Sequence, residues 1–110
     1  MAIRLEKPWL PLSADAIRRL PAQLGVFELG DEAGRILYIG YAGGRSLFGL
    51  RGEIERTGAA MPAARRFRSE VTMQYLTRHQ ELLMLHVADH GAIPEGNRGD
   101  ALRLGRLSPL

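Results

Sequence analysis

Leu24–Gly40, LGVFELGDEAGRILYIG, is the stretch whose reading decides the fold. Two runs rich in β-branched and aromatic residues, Leu24–Leu29 and Arg35–Gly40, flank Gly30-Asp-Glu-Ala-Gly34. Such runs favour strands, and a Gly/Asp-containing connector between them favours a turn, so the stretch predicts a β-hairpin. Downstream, Ser46 can cap a helix reaching about Thr57, with Leu47, Leu50 and Ile54 as its apolar stripe and Gly58 as its stop. Phe67–Tyr75 alternates Phe67, Val71, Met73 and Tyr75 with Arg68, Glu70, Thr72 and Gln74, which predicts a strand with one buried face. Thr77 can cap a last helix that runs through ELLMLHVADH and stops at Gly91.

Upstream, Pro8, Pro11 and Pro21 break up a packing arm, residues 1–23, in which Ser13 caps a short helix, Ala14–Leu20. The tail, residues 98–110, has only a weak helical pattern. The order helix, strand, strand, helix, strand, helix predicts a small α/β (α+β) layer fold in one domain.

A chain of 110 residues suits a single core. Cysteine is absent, which excludes disulfides, thiolate zinc sites and thiol nucleophiles and fits a reducing cytoplasm. No run approaches the roughly 20 apolar residues of a membrane span, so a soluble cytoplasmic protein is expected. The formal charge is +3, and fourteen of the fifteen basic residues are arginine. Arginine grips phosphate through a planar fork, although a composition bias alone is weak evidence for nucleic acid.

Several polar residues fall on apolar faces. At about 100° per residue, Glu81 lies within the arc of Leu83, Met84, Leu85, Val87 and Ala88, so its carboxylate needs an arginine, a metal or a wet cleft. Arg51 faces partly inward beside Leu50 and Ile54. Gly43-Gly44-Arg45-Ser46, where a strand hands over to a helix, can cradle an anion with backbone N–H groups, or can serve only as a turn needing positive φ. Tyr38 is either ordinary packing or, near a cation, a proton acceptor. His79, His86 and His90 form one stripe, and His86 and His90 have the spacing that can chelate a metal, although a solvated or partner-facing edge is the plainer reading.

Gly25-Val-Phe27, Tyr38-Ile-Gly40, Arg51, Glu81 and Asn97, taken in order, resemble the GIY-YIG endonuclease superfamily. The resemblance covers a core of about residues 24–97 and implies a compact α/β fold around a three-stranded sheet flanked by helices, cleaving a DNA phosphodiester with one divalent cation, Mg²⁺ or Mn²⁺. It implies that Tyr38 activates water, Arg51 steadies the phosphate, Glu81 holds the metal and Asn97 supports the end of the site. Gly43, Gly44, Arg45 and Ser46 would then receive the substrate. Phe27 stands where the family usually has tyrosine, Glu55 stands one turn from Arg51, and Tyr41 follows the second motif in place of lysine. The alternatives are an inactive module of this fold binding nucleic acid or a protein partner through Arg45, Arg65, Arg66 and Arg68, and a small-anion or metal site at the GGRS turn or the histidine edge.

Overall fold

The computed structural model describes residues 3–98. Expectations for the tail beyond Arg98 lie outside the described residues. A short strand β1 (Leu10–Pro11) and a helix α1 (Ala14–Arg18) lead into the hairpin strands β2 (Gly25–Gly30) and β3 (Ile36–Ala42). Helix α2 (Gly49–Ala59), strand β4 (Arg66–Val71), helix α3 (Tyr75–His90) and a 3₁₀ turn (Glu95–Asn97) complete the order.

The predicted hairpin forms. Asp31 closes its turn, one carboxylate oxygen accepting from the N–H groups of Ala33 and Arg35 at 3.0 and 2.9 Å. The sheet is antiparallel with order β1-β4-β2-β3, so it has four strands where three were expected. The fourth, β1, comes from the arm: Leu10 and Pro11 pair with Phe67 and Arg66. Two prolines break up this segment, and a two-residue pairing leaves no periodic signal.

Adjacent residues on a strand point to opposite faces, and β2 shows both faces being used. Phe27 and Leu29 pack with Phe67, Leu50 and Ile54 beneath α2, with Ile17 and Leu20 alongside. Val26 packs with Ile39, Leu5 and Leu82 beneath α3. All six residues of β2 are buried, as expected of a central strand covered on both sides. The arm crosses the α3 face, where Leu5 joins the core and Trp9 lies over Gly30, then turns round the β4 edge to place α1 beside α2.

Three element boundaries differ from the sequence reading. The β4 strand ends at Val71, Met73 is exposed, and Tyr75 opens α3, so the apolar alternation beyond Phe67 does not reflect burial. Helix α3 therefore starts two residues before Thr77. Helix α2 starts at Gly49 rather than behind Ser46, which leaves Leu47 in solvent while Leu50 and Ile54 are buried as predicted. No described helix is long and apolar enough to cross a membrane.

Candidate functional site

Of the residues read as catalytic, Tyr38 and Arg51 belong to the α2 face of the sheet and Glu81 to the α3 face. Tyr38 sits half-buried on the edge strand β3, its ring centroid 6.0 Å from that of Phe27. Arg51 lies on α2 and lines a hollow of about 220 Å³ with Ile17, Arg18, Phe48 and Glu55, on the side where α1 packs. Glu81 is on α3, across the sheet from α2, where Arg78 donates to it. Arg78 also donates to both oxygens of Glu70, at 2.9 and 3.1 Å, and to the Ile3 carbonyl. The inward glutamate thus belongs to an architectural Glu70–Arg78–Glu81 bridge rather than to a cleft shared with Arg51.

These surroundings do not suit a divalent cation. The Arg78 guanidinium already supplies the positive charge between Glu70 and Glu81, and no group of three His, Asp or Glu side chains among the described residues is arranged to hold a metal. Two of the histidines bond backbone carbonyls, and the His86 and His90 rings lie 4.4 Å apart, centroid to centroid. His79 Nε2 bonds the Ile39 carbonyl at 2.9 Å with its ring against Tyr41, and His86 Nδ1 bonds the Ala92 carbonyl at 2.8 Å. Asp89 pairs with Arg4, whose hydrogen bond holds the Asp89 carboxyl below its ordinary range.

Asn97 is buried, and its side chain closes the free edge of β3: the amide oxygen accepts from the Ile39 N–H and the amide nitrogen donates to the Ile39 carbonyl, both at 2.8 Å. Its role is therefore to satisfy the backbone of the motif strand.

Sequence reasoning missed a buried pair on the α3 face. Arg68 donates to Glu28 at 2.7 Å and stacks over Trp9, its guanidinium carbon 4.1 Å from the ring centroid. Burial raises the Glu28 carboxyl above its ordinary value, and the Arg68 hydrogen bond and charge only partly offset that. Arg68 is accordingly not part of a free basic surface. The one visible signal was Glu28 itself, a charge inside an otherwise apolar strand.

The Gly43–Phe48 loop is the most elaborately built feature at the surface. Gly43 and Ser46 exchange hydrogen bonds, and Ser46 Oγ donates to Glu53 on α2 at 2.8 Å. The Gly44 N–H donates to the Tyr75 hydroxyl of α3 at 3.2 Å, and Tyr75 stacks on Tyr41. Ser46 therefore braces the loop from within instead of capping the helix. The braced loop carries Leu47 and Phe48, 78% and 68% exposed, into solvent.

Phe48 has φ 63°, the one non-glycine residue with positive φ among those described, and a bulky side chain in that region is strained. Gly49 follows at φ 55°, and a Cβ there would stand 2.6 Å from the backbone of Ala22 and Gln23. Its neighbour Leu50 then donates to the Gln23 carbonyl. Phe48 is thus carried into the left-handed region by the tight entry into α2.

The β4–α3 connection reaches the same end of the sheet, because Gly25 is flanked by Ala42 on one side and Val71 on the other. Val71 and Met73, also exposed, therefore share a pole with Leu47 and Phe48. Arg45 and Arg51 border this pole, and neither makes an ion pair among the described residues.

Residues 3–89 match the family model described as Domain of unknown function (DUF7508). The chain belongs to the DUF7508 family. The matched range takes in the arm as well as the hairpin, α2, β4 and nearly all of α3, consistent with the contacts that Ile3, Arg4 and Leu5 make to α3 and the core. No curated protein matches this DUF7508 domain in sequence.

Proposed function

We propose that this DUF7508 domain is a non-catalytic interaction module that docks a protein partner on the pole formed by Gly43–Phe48 and Val71–Met73. One observation carries the reading: a loop braced from both α2 and α3 holds a strained Phe48, with Leu47, out in solvent. Exposed apolar side chains that are singly scattered need no explanation, but a rigid cluster of them is a ready docking site. Preorganisation lowers the ordering cost of binding, and strain at an exposed aromatic is the kind of feature a functional contact sustains. Arg45 and Arg51 at the margin favour a partner whose own rim is acidic.

On this reading the resemblance to GIY-YIG nucleases rests on the short motifs and their order alone, while the sheet has four strands with β1 at its edge. A Mg²⁺-dependent cut of DNA draws little support from a Glu81 bridged to Arg78 on the α3 face while Arg51 stands on α2, across the sheet.

A photo-crosslinking phenylalanine analogue at position 48, expressed in the native host, tests the proposal. A discrete protease-sensitive adduct is expected there and not with the analogue at the exposed turn residue Glu32. A nuclease-sensitive adduct would transfer the pole to nucleic acid, and absence of any adduct specific to position 48 would overturn the reading.

A further inference from the structure

Two histidines that the pole does not use stand at the far end of α3. His86 and His90 lie one turn apart where the helix ends, and their ring centroids are 4.4 Å apart with the ring planes tilted by 38°. Imidazole nitrogens bind a metal ion at about 2.0–2.1 Å, so two ring centroids sit about 3.2 Å from a shared ion and about 4.5 Å from each other when the ligands meet at a right angle. The observed spacing is that of two cis ligands. His86 is also fixed in its tautomer: Nδ1 stands 2.8 Å from the Ala92 carbonyl, which only accepts, so Nδ1 carries the proton and the Nε2 lone pair is left for a metal. His90 is exposed and makes no hydrogen bond among the described residues, so its ring can turn about its broad terminal torsion to present a nitrogen beside it.

We infer that His86 and His90 form a two-ligand site for a divalent transition metal that prefers imidazole, Cu²⁺, Ni²⁺ or Zn²⁺. The surroundings suit a cation. The last carbonyls of α3 have no partner within the helix and give this end its negative dipole. The two guanidinium groups on the adjoining hollow of about 50 Å³, those of Arg4 and Arg68, are paired with Asp89 and Glu28, so the ion meets no unpaired cation there. The hollow leaves space for the water that completes the coordination, since no third His, Asp or Glu side chain joins the pair among the described residues. Affinity for such a site rises from Mn²⁺ through Ni²⁺ to Cu²⁺ and falls again at Zn²⁺, while Mg²⁺ prefers oxygen. Cu²⁺ therefore binds tightest, and Mg²⁺ and Mn²⁺ do not compete. The site stands apart from the pole proposed above, which borders the other end of α3, about 20 Å away along the axis.

Calorimetric titration of the full chain, free of any affinity tag, with Cu²⁺, Ni²⁺, Zn²⁺ and Mg²⁺ tests the inference. One ion per chain is expected for each of the first three, tightest for Cu²⁺, and none for Mg²⁺. His86→Ala and His90→Ala, each checked for native circular dichroism, are expected to weaken binding at least about tenfold, because each removes the second, intramolecular ligand. Moving the second histidine, by His90→Ala together with Ala88→His, keeps the histidine count and breaks the spacing, and is expected not to restore affinity. In NMR spectra, Zn²⁺ should shift the ring signals of His86 and His90 together and leave those of His79 in place. Absence of saturable binding of Cu²⁺, Ni²⁺ and Zn²⁺ to the wild type would overturn the inference. So would wild-type affinity in either single variant or in the spacing variant, or zinc shifts confined to one of the two rings.

Discussion

Asn97 and Ile39, 58 positions apart, bind each other as paired strands do, with one N–H and one carbonyl each engaged at 2.8 Å. The edge strand that carries the Tyr38-Ile-Gly40 motif is thereby closed by a side chain. Asn97→Ala leaves the buried Ile39 N–H without its acceptor, while His79 still reaches the carbonyl. The expected cost is about 1–3 kcal/mol, read from urea denaturation. Asn97→Asp is expected to be at least as damaging, because a carboxylate oxygen would then face the Ile39 carbonyl.

Phe27 and Gly40 explain each other. They are cross-strand partners, and a Cβ on Gly40 would meet the Phe27 ring at its edge and the Tyr38 ring 2.6 Å away. Gly40→Ala should therefore destabilise the domain by about 1–3 kcal/mol through overpacking. Phe27→Ala combined with Gly40→Ala should cost less than the sum of the two single changes, which a double-mutant cycle measures directly.

These two pairs also show what the sequence reveals. The hairpin was legible because Leu24–Leu29 and Arg35–Gly40 have strand composition and Asp31 sits where a turn needs a local acceptor. Leu50 and Ile54 were legible because α2 has one wet side. Helix α3 misled because leucine, methionine and valine occur all round it: with Leu76, Met84 and Val87 outside the core, the apolar arc that seemed to enclose Glu81 was not the buried one. The Glu28–Arg68–Trp9 stack joins residues far apart in the chain, so no local pattern announces it, and in the Glu70–Arg78–Glu81 bridge only Arg78 and Glu81 have a helical i,i+3 spacing while Glu70 comes from the preceding strand. Nor does composition suggest a phenylalanine at positive φ, because that conformation is set by Gly49 lying against Gln23.

Phe48 should separate stability from binding. Phe48→Gly relieves the left-handed strain, worth up to about 1–2 kcal/mol, against the entropic cost of a flexible residue. Thermal unfolding is expected at an unchanged or higher temperature. The same substitution should abolish the partner contact, so a variant that unfolds earlier and still crosslinks from Leu47 would contradict the role given to the loop.

Glu28 and Asp89 should tilt the stability profile in opposite directions. The folded-state pKa of Glu28 is raised by burial, so the folded chain holds that proton more tightly and stability is lost as pH rises through the folded value. The folded-state pKa of Asp89 is lowered by Arg4, so its contribution is present at neutral pH and lost as pH falls through the folded value. Relative to wild type, Glu28→Gln should become more favourable as pH is raised from the ordinary glutamate value toward neutrality. Asp89→Asn should differ most from wild type at neutral pH and converge with it in acid. Melting temperatures of the three proteins across that range check both slopes.

Glu81 decides between architecture and a metal role. Its partner Arg78 also holds Glu70 and the Ile3 carbonyl, so Glu81→Ala removes one arm of the bridge and leaves the guanidinium anchored. A partly exposed ion pair of this kind contributes about 0–1 kcal/mol, so a small loss of stability is expected. Anything that binds the folded chain preferentially raises its melting temperature in proportion to occupancy. Mg²⁺ and Mn²⁺ are therefore expected to give wild type and Glu81→Ala the same melting temperature shift as an ionic-strength control. Plasmid incubated with either cation and the wild-type protein should remain supercoiled. A cation-specific shift in the wild type that disappears in Glu81→Ala, together with nicking that disappears with it, would restore the nuclease reading and place a metal where Arg78 now stands.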